Sequence, residues 1–412
     1  MMTTASAALP SCSEVCPSRG RSGGFYATFL ALLLWPGAAA AQQPPPPAQP
    51  PVLIEATYTA DVWRNLRGGL RRGSAYLDNL DLVATVDADR TIGLANTTFV
   101  VSGLYNNRTT FSDRFVGDLK TVSNIDTDGS VRLYEAWAEH RFAGGAAKIG
   151  LIDLNSEFDV NETGALFINS SHGIGPDFSQ VGENGPGIFP ITALGARVSF
   201  ALDDRIELRT GLFEGIAGDP ERPRRTLLRL SGDEGYLAVT ELHYRPRDTI
   251  HLALGVRHLK TRTPDPQDLG SERSTGLYAL GEARVAQVGG RALNGFARIG
   301  FADGGLHRIV SYQGAGLALD GPLFGNDDHQ EQLGIAVASA VTSRSLRAER
   351  ADAGLSTDRR ETTIELTYRA QLTPWLALQP DLQYVVNPGV DRSVRDALAA
   401  GMRIEISWSS DR

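Results

Sequence analysis

Residues 361–386 read ETTIELTYRAQLTPWLALQPDLQYVV. In the first half, Ile364, Leu366, Tyr368 and Ala370 share one face of an extended chain, and Glu361, Thr363, Glu365, Thr367 and Arg369 share the other. In the second half, Leu376, Leu378, Pro380, Leu382, Tyr384 and Val386 stand against Gln379, Asp381 and Gln383. Successive side chains of a strand point to opposite faces, so each half is a strand with an apolar and a polar wall. The last segment repeats the pattern: Met402, Ile404, Ile406 and Trp408 oppose Arg403, Glu405 and Ser407. Upstream, Leu80–Asp87, Leu194–Phe200, Ile206–Leu212, Leu293–Phe301 and Gln332–Val341 alternate less cleanly, separated by turn-forming stretches such as Ala143-Gly144-Gly145.

Ionised residues alternate directly with large apolar ones, as expected where one wall meets lipid and the other a wet lumen. Tyr368, Tyr384 and Trp408 lie at strand ends, where aromatic girdles sit. The expected fold is all-β: a transmembrane antiparallel β-barrel of about 16 strands, with 18 as the neighbouring even number. A secreted β-sandwich is the competing arrangement.

The N-terminus is expected to be processed. Arg19 and Arg21 precede an apolar run from Phe25 to Trp35, and small residues Ala38–Ala41 follow. That order marks residues 1–41 as a cleavable signal peptide for export. Residues 42–56, opening QQPPPPAQPP, read as a proline-rich spacer, and 57–412 as the barrel. The leader holds Arg19, Arg21 and Glu14, so the remainder is one unit more negative than the formal −8 of the whole chain. That acidity argues against a nucleic-acid partner. Cys12 and Cys16, the two cysteines, also leave with it, which removes disulfides and thiolate metal sites. No phosphate-loop lysine and no H-E-x-x-H pair occurs. No catalytic residue, metal or cofactor is therefore assigned, and an enzyme is not expected. Asp126-Thr127-Asp128-Gly129 lacks the further ligands of a calcium loop and reads as a turn. Residues 153–192 break the strand rhythm, and irregular stretches this long are usually functional or disordered.

Several phrases resemble the carbohydrate-selective, OprB-type porin family. They are YTADVWRNLRGGLRRGSAYLDNLD (58–81), GDLKTVSNIDTDGSVRLYEAW (117–137), GLIDLNSEFDVNETGALFINSS (150–171), GPGIFPITALG (185–195) and the final strands from Glu361 to Gly389. The match runs from about residue 57 to the end. Trp408 departs from it, because four residues follow where such barrels usually finish on an aromatic. The resemblance implies a passive channel for small sugars such as glucose in the outer membrane of a Gram-negative bacterium. Its partners would be sugars and outer-membrane lipid, with a homotrimer as a possible assembly. A size-sieving porin without a sugar site stays open beside it.

A sugar pore needs polar donors and acceptors, with an aromatic face for the ring. In Leu133–Arg141, Glu135, Trp137, Glu139 and Arg141 share a face opposite Tyr134 and Ala136. Glu135 and Trp137 form the preferred acceptor-and-ring pair, although Trp137 would equally suit a lipid interface. Arg132, immediately before that segment, is counted with them as pore-lining. Arg64 and Arg67 lie in the family-like opening motif and are candidates for the lumen, with a solvated periplasmic or loop position as the alternative. Asp153, Glu157 and Asp159 open the irregular stretch and are candidates for a constriction.

Overall fold

The computed structural model describes residues 50–182, 184–219, 222, 226, 235–261, 273–304, 307–323 and 330–411. The expected leader, and the spacer as far as residue 49, lie outside the described residues. Sixteen strands follow: β1 (Val52–Gly69), β2 (Gly73–Asp87), β3 (Thr97–Asn106), β4 (Val131–Phe142), β5 (Gly145–Ile152), β6 (Ala193–Ala201), β7 (Ile206–Glu214) and β8 (Tyr236–Arg247), then β9 (Ile250–Lys260), β10 (Arg273–Val288), β11 (Arg291–Ala302), β12 (Ile309–Asp320), β13 (Gln330–Thr342), β14 (Arg360–Thr373), β15 (Leu376–Val386) and β16 (Arg395–Ser409). Each pairs antiparallel with its chain neighbours, and β16 returns to pair with β1, closing the barrel. Closure leaves no strand edge unpaired, which is what a sheet in hydrocarbon requires. The strand β1 begins before the expected boundary at 57: Val52–Ala56 already pair with Leu82–Val86 on β2. The alternating residues Val52 and Ile54 are exposed, so they join the outer wall and are no part of a spacer.

The outer wall decides between barrel and sandwich. Ile149 (66% exposed), Leu254 (58%), Leu277 (54%) and Ile335 (52%) have no protein cover. In water so much bare apolar surface would drive aggregation; in lipid it is the expected wall. Trp375 and Trp408 adjoin at one rim, where the Ser407 amide donates to the Trp375 carbonyl (2.9 Å), and both are exposed. They belong to an aromatic girdle.

The connections are short at that rim. Gly289 and Gly290, with φ of 57° and 82°, turn β10 into β11 in two residues. A turn with two positive φ values matches the twist of the strands, and glycine adopts it without strain. The opposite rim carries the long connections, among them loop 2 (residues 107–130) and loop 3 (residues 153–192). Short turns face the periplasm and long loops the exterior in such barrels.

Candidate functional site: a constriction built by two inward loops

The irregular stretch seen in the sequence folds inward. Loop 3 carries Phe158, Ile174, Phe178 and Val181 onto Phe213, Leu237, Val239, Leu259 and Tyr278 of the inner wall. Burying these rings and branched chains supplies the drive; the polar contacts set the path. Glu157 pairs with Lys148 on β5 and with Arg197 on β6 (2.6 Å). Burial pushes the Glu157 carboxyl upward, but Lys148 and Arg197 outweigh it and hold it below the usual range. Asp159 and Asp177 both meet the buried guanidinium of Arg298 on β11. Burial, together with the neighbouring charges of Asp177 and Glu241, lifts Asp159 to about 6 against the pull of Arg298.

Wall carboxylates also take the loop's backbone amides. Glu241 accepts from Asp159 N (2.7 Å), Glu282 from Thr163 N (2.6 Å) and Glu365 from Ile168 N (2.6 Å). Such charge-assisted bonds satisfy amides that have no strand partner.

Loop 2 also folds inward, which the sequence reading missed. Phe111, Phe115, Val116 and Val122 pack on Trp63, Ala75 and Leu77. Glu361 on β14 accepts from Leu119 N (2.8 Å) and pairs with Lys120 (2.7 Å). Asp61 on β1 accepts from Ser123 (2.7 Å) and pairs with Arg403 on β16 (2.7 Å). The loops join where Asn124 N donates to Ile168 O (2.9 Å) and Gln180 donates to Leu119 O (2.7 Å).

Between the loops and the inner wall of β1, β2 and β16 lies a cavity of about 500 Å³. Thr59, Asn79, Asp81 and Arg403 line it from the wall. Lys120, Thr121, Asn124, Asp126, Asp153, Asn155, Ser170 and Gln180 line it from the loops, with Ile125, Ile174 and Phe189 as apolar members. The volume falls within the roughly 300–1,000 Å³ of small-ligand sites.

Of the residues put forward from sequence for the sugar pore, Asp153 alone borders this cavity, where it accepts from Tyr134 (2.6 Å). Glu135 and Trp137 do face inward, but Glu135 accepts from Trp137 Nε1 (3.1 Å) and Asp153 N (3.0 Å). The Lys148 ammonium lies 3.8 Å from the centre of the Trp137 ring. This pair therefore fixes the start of loop 3, and its ring face is already occupied. Glu139 pairs with Arg197 (2.6 Å) and Arg141 (3.2 Å), while Glu157 and Asp159 are buried anchors.

Two orientations differ from expectation. Tyr134 was placed opposite Glu135, but β4 carries a bulge: Glu135 aligns with Ser102 and Leu133 with Gly103, leaving Tyr134 extra. Alternation slips there, so Arg132, paired with buried Leu104, faces inward like Glu135. Arg64 and Arg67 do not reach the lumen. Asp61, Trp63 and Asn65 are the buried, inward residues of β1, so Arg64 between them points outward with exposed Val62. Arg67, beyond a register shift, is exposed and aligns with Leu398, whose outward row continues through Ala400 to exposed Met402.

The sequence matches the family described as "Carbohydrate-selective porin, OprB family" over residues 71–408. The chain belongs to that family. It is thus an outer-membrane sugar channel of a Gram-negative bacterium, as the resemblance implied. Porin B of Pseudomonas aeruginosa is 24% identical over 394 residues, covering 84% of this chain and 86% of the relative. A structure of Pseudomonas putida OprB at high pH superposes with a TM-score of 0.76 at 21% identity, over 87% of this chain and 94% of that one. The outer-membrane channel DcaP of Acinetobacter baumannii gives a TM-score of 0.54 at 9% identity, over 87% and 97%. Both share the barrel fold.

One lining residue of this OprB-family member gives a pH test. Asp126 accepts from Phe111 N (2.9 Å) and Ser112 N (2.7 Å), and burial lifts its carboxyl to about 6. An unfolded aspartate titrates near about 3.9. Between those values the folded chain binds a proton that the unfolded chain does not, so stability rises as pH falls from about 6 to about 4. Asp126→Asn keeps an oxygen acceptor without the charge. Its unfolding temperature, followed by tryptophan fluorescence, is expected to rise less over that interval. An undiminished rise would refute the assignment to Asp126.

Proposed function

We propose that neutral monosaccharides such as glucose diffuse passively through the cavity between loops 2 and 3. The observation that carries this reading is the cavity's lining. Hydroxyls and amides (Thr59, Asn79, Thr121, Asn124, Asn155, Ser170, Gln180) are interspersed with charged groups and one aromatic ring, Phe189. Sugar hydroxyls exchange bonds with water for bonds with such groups at little net gain. Weak exchange is what passage needs, because tight binding would stop release. Phe189 offers a face for the apolar side of a pyranose. Residues 1–41 fit this reading as the export leader.

The test is single-channel conductance of the refolded protein in planar bilayers, with glucose, maltose and a neutral non-sugar added in turn. Glucose is expected to lower ion current at millimolar levels where the non-sugar does not. Phe189→Ala is expected to weaken that block about two- to tenfold, the worth of one aromatic contact. Open channels that no sugar blocks would reduce the protein to a size sieve.

A further inference from the structure

The segment RNLRGGLRR, residues 64–72, puts four arginines around the β1–β2 turn, and the channel has no use for them. All four are exposed. Arg64 stands on the outer wall opposite Ser74, and Arg67 lies on that wall opposite Leu398. Arg71 donates to the Arg114 carbonyl (3.0 Å), and the two guanidinium carbons lie 5.0 and 5.2 Å from the centre of the same Phe115 ring. None of Arg64, Arg67, Arg71, Arg72 and Arg114 has a carboxylate at ion-pair distance among the described residues.

Two acids near these arginines have other partners. Asp396 is held by the Tyr384 hydroxyl (3.0 Å) and Asn387 N (3.0 Å), and Asp78 by the Tyr58 hydroxyl (2.8 Å). Five like charges therefore gather at one rim of a protein whose formal charge is −8. Like charges repel, and a bound external anion would relieve that repulsion.

Position tells which anion. The rim carries the long loops and so faces the cell exterior. Next on the outer wall come the paired, exposed Val62 and Tyr76, an apolar surface of the kind that faces acyl chains. The arginines thus sit at headgroup height of the outer leaflet. Guanidinium groups bind phosphate oxygens in pairs, and basic clusters beside a membrane select anionic lipids.

We propose that this rim binds the phosphorylated headgroup of an outer-leaflet glycolipid, with its acyl chains along the outer faces of β1 and β2. The experiment is native mass spectrometry of the detergent-solubilised full chain titrated with diphosphoryl lipid A and with its dephosphorylated form. The phosphorylated lipid is expected to bind the wild type at least about tenfold more tightly. The double variant Arg64→Gln/Arg72→Gln should lose about 25-fold, since each arginine near an anionic surface contributes roughly a factor of five. Arg64→Lys/Arg72→Lys should recover much of that loss. Arg205→Gln, on a turn at the opposite rim, should change nothing. Retained heat-modifiability on gels and wild-type conductance would show that the glutamine variant still forms its barrel. Equal binding of the two lipids, or glutamine variants that bind like the wild type, would overturn the proposal. So would displacement of lipid A by equimolar pyrophosphate, which would make this a simple anion site. Mass spectra in which a second copy of the chain excludes the lipid would overturn it too.

Discussion

Replacing Arg298 with methionine is expected to release loop 3 and widen the channel without dismantling the barrel. The guanidinium lies 2.8 Å from one Asp159 oxygen, pairs with Asp177, and rests 5.2 and 5.3 Å from the ring centres of Tyr278 and Tyr312. Both aspartates are 1% exposed. Methionine fills much of the volume but removes the cation that both carboxylates share, leaving only Arg257, which donates to the Asp177 carbonyl (2.6 Å), close by. Breaking a buried pair in this way costs about 3–5 kcal/mol. The barrel does not depend on that contact, because β11 keeps its backbone ladder to β10 and β12. The loop therefore gives way first. Single-channel conductance should rise, and block by glucose should weaken at least about tenfold, as the cavity loses one of its two loops. Arg298→Met/Asp159→Asn/Asp177→Asn removes the stranded charges, and a neutral replacement of a buried ionic cluster is often tolerated. Its conductance should return toward the wild-type value. If the single variant conducts like the wild type, loop 3 is not held by this cluster.

How much of this was visible beforehand depends on how far the deciding contact lies along the chain. The strands β14, β15 and β16 were legible because lipid and water impose opposite demands on successive residues, so Leu366 and Glu365 declare their sides. At the exterior end of β1 that contrast fails. Arg64 and Asn65 are both polar, so alternation could not say which side either takes, and the lumen expectation for Arg64 and Arg67 was wrong. In β4 the face shared by Glu135 and Trp137 turns inward, but one bulge residue, Tyr134, escaped the alternation. No pattern announces a bulge in a single sequence. The irregularity of loop 3 was plain, whereas its docking partners were not. Ile168 finds Glu365 at a separation of 197 residues, and Leu119 of loop 2 finds Glu361 at 242. These wall carboxylates looked like ordinary hydration of a lumen, and only the closed barrel shows that they hold backbone amides. Loop 2 offered one faint signal. Lys120 is one of only three lysines in an arginine-rich chain, and it is the residue paired with Glu361.

That pair sets up the second large effect. Glu361→Gln is expected to turn Lys120 into the channel and shift its selectivity toward anions. Both side chains are fully buried, and the carboxylate also accepts from Leu119 N (2.8 Å) and Gly389 N (2.6 Å). Glutamine has the same size and one acceptor oxygen, so part of the backbone contact survives. The charge does not, and breaking a buried pair costs about 3–5 kcal/mol, while the acid that remains beside Lys120 is Asp118, a carboxyl raised by burial and by Glu361. Lys120 already borders the cavity, so rotating its flexible stem into water is the cheaper outcome. The cavity then gains one positive charge. Its other cation, Arg403, stays tied to Asp61. Reversal potentials in a salt gradient should move toward the anion value, more at 10 mM than at 1 M salt, because the screening length is about 30 Å in the first and 3 Å in the second. Lys120→Met/Glu361→Gln should restore the wild-type potential, since it removes the freed charge and not merely its partner. An unchanged potential in the single variant, with the barrel folded, would mean that Lys120 stays buried and that another group neutralises it.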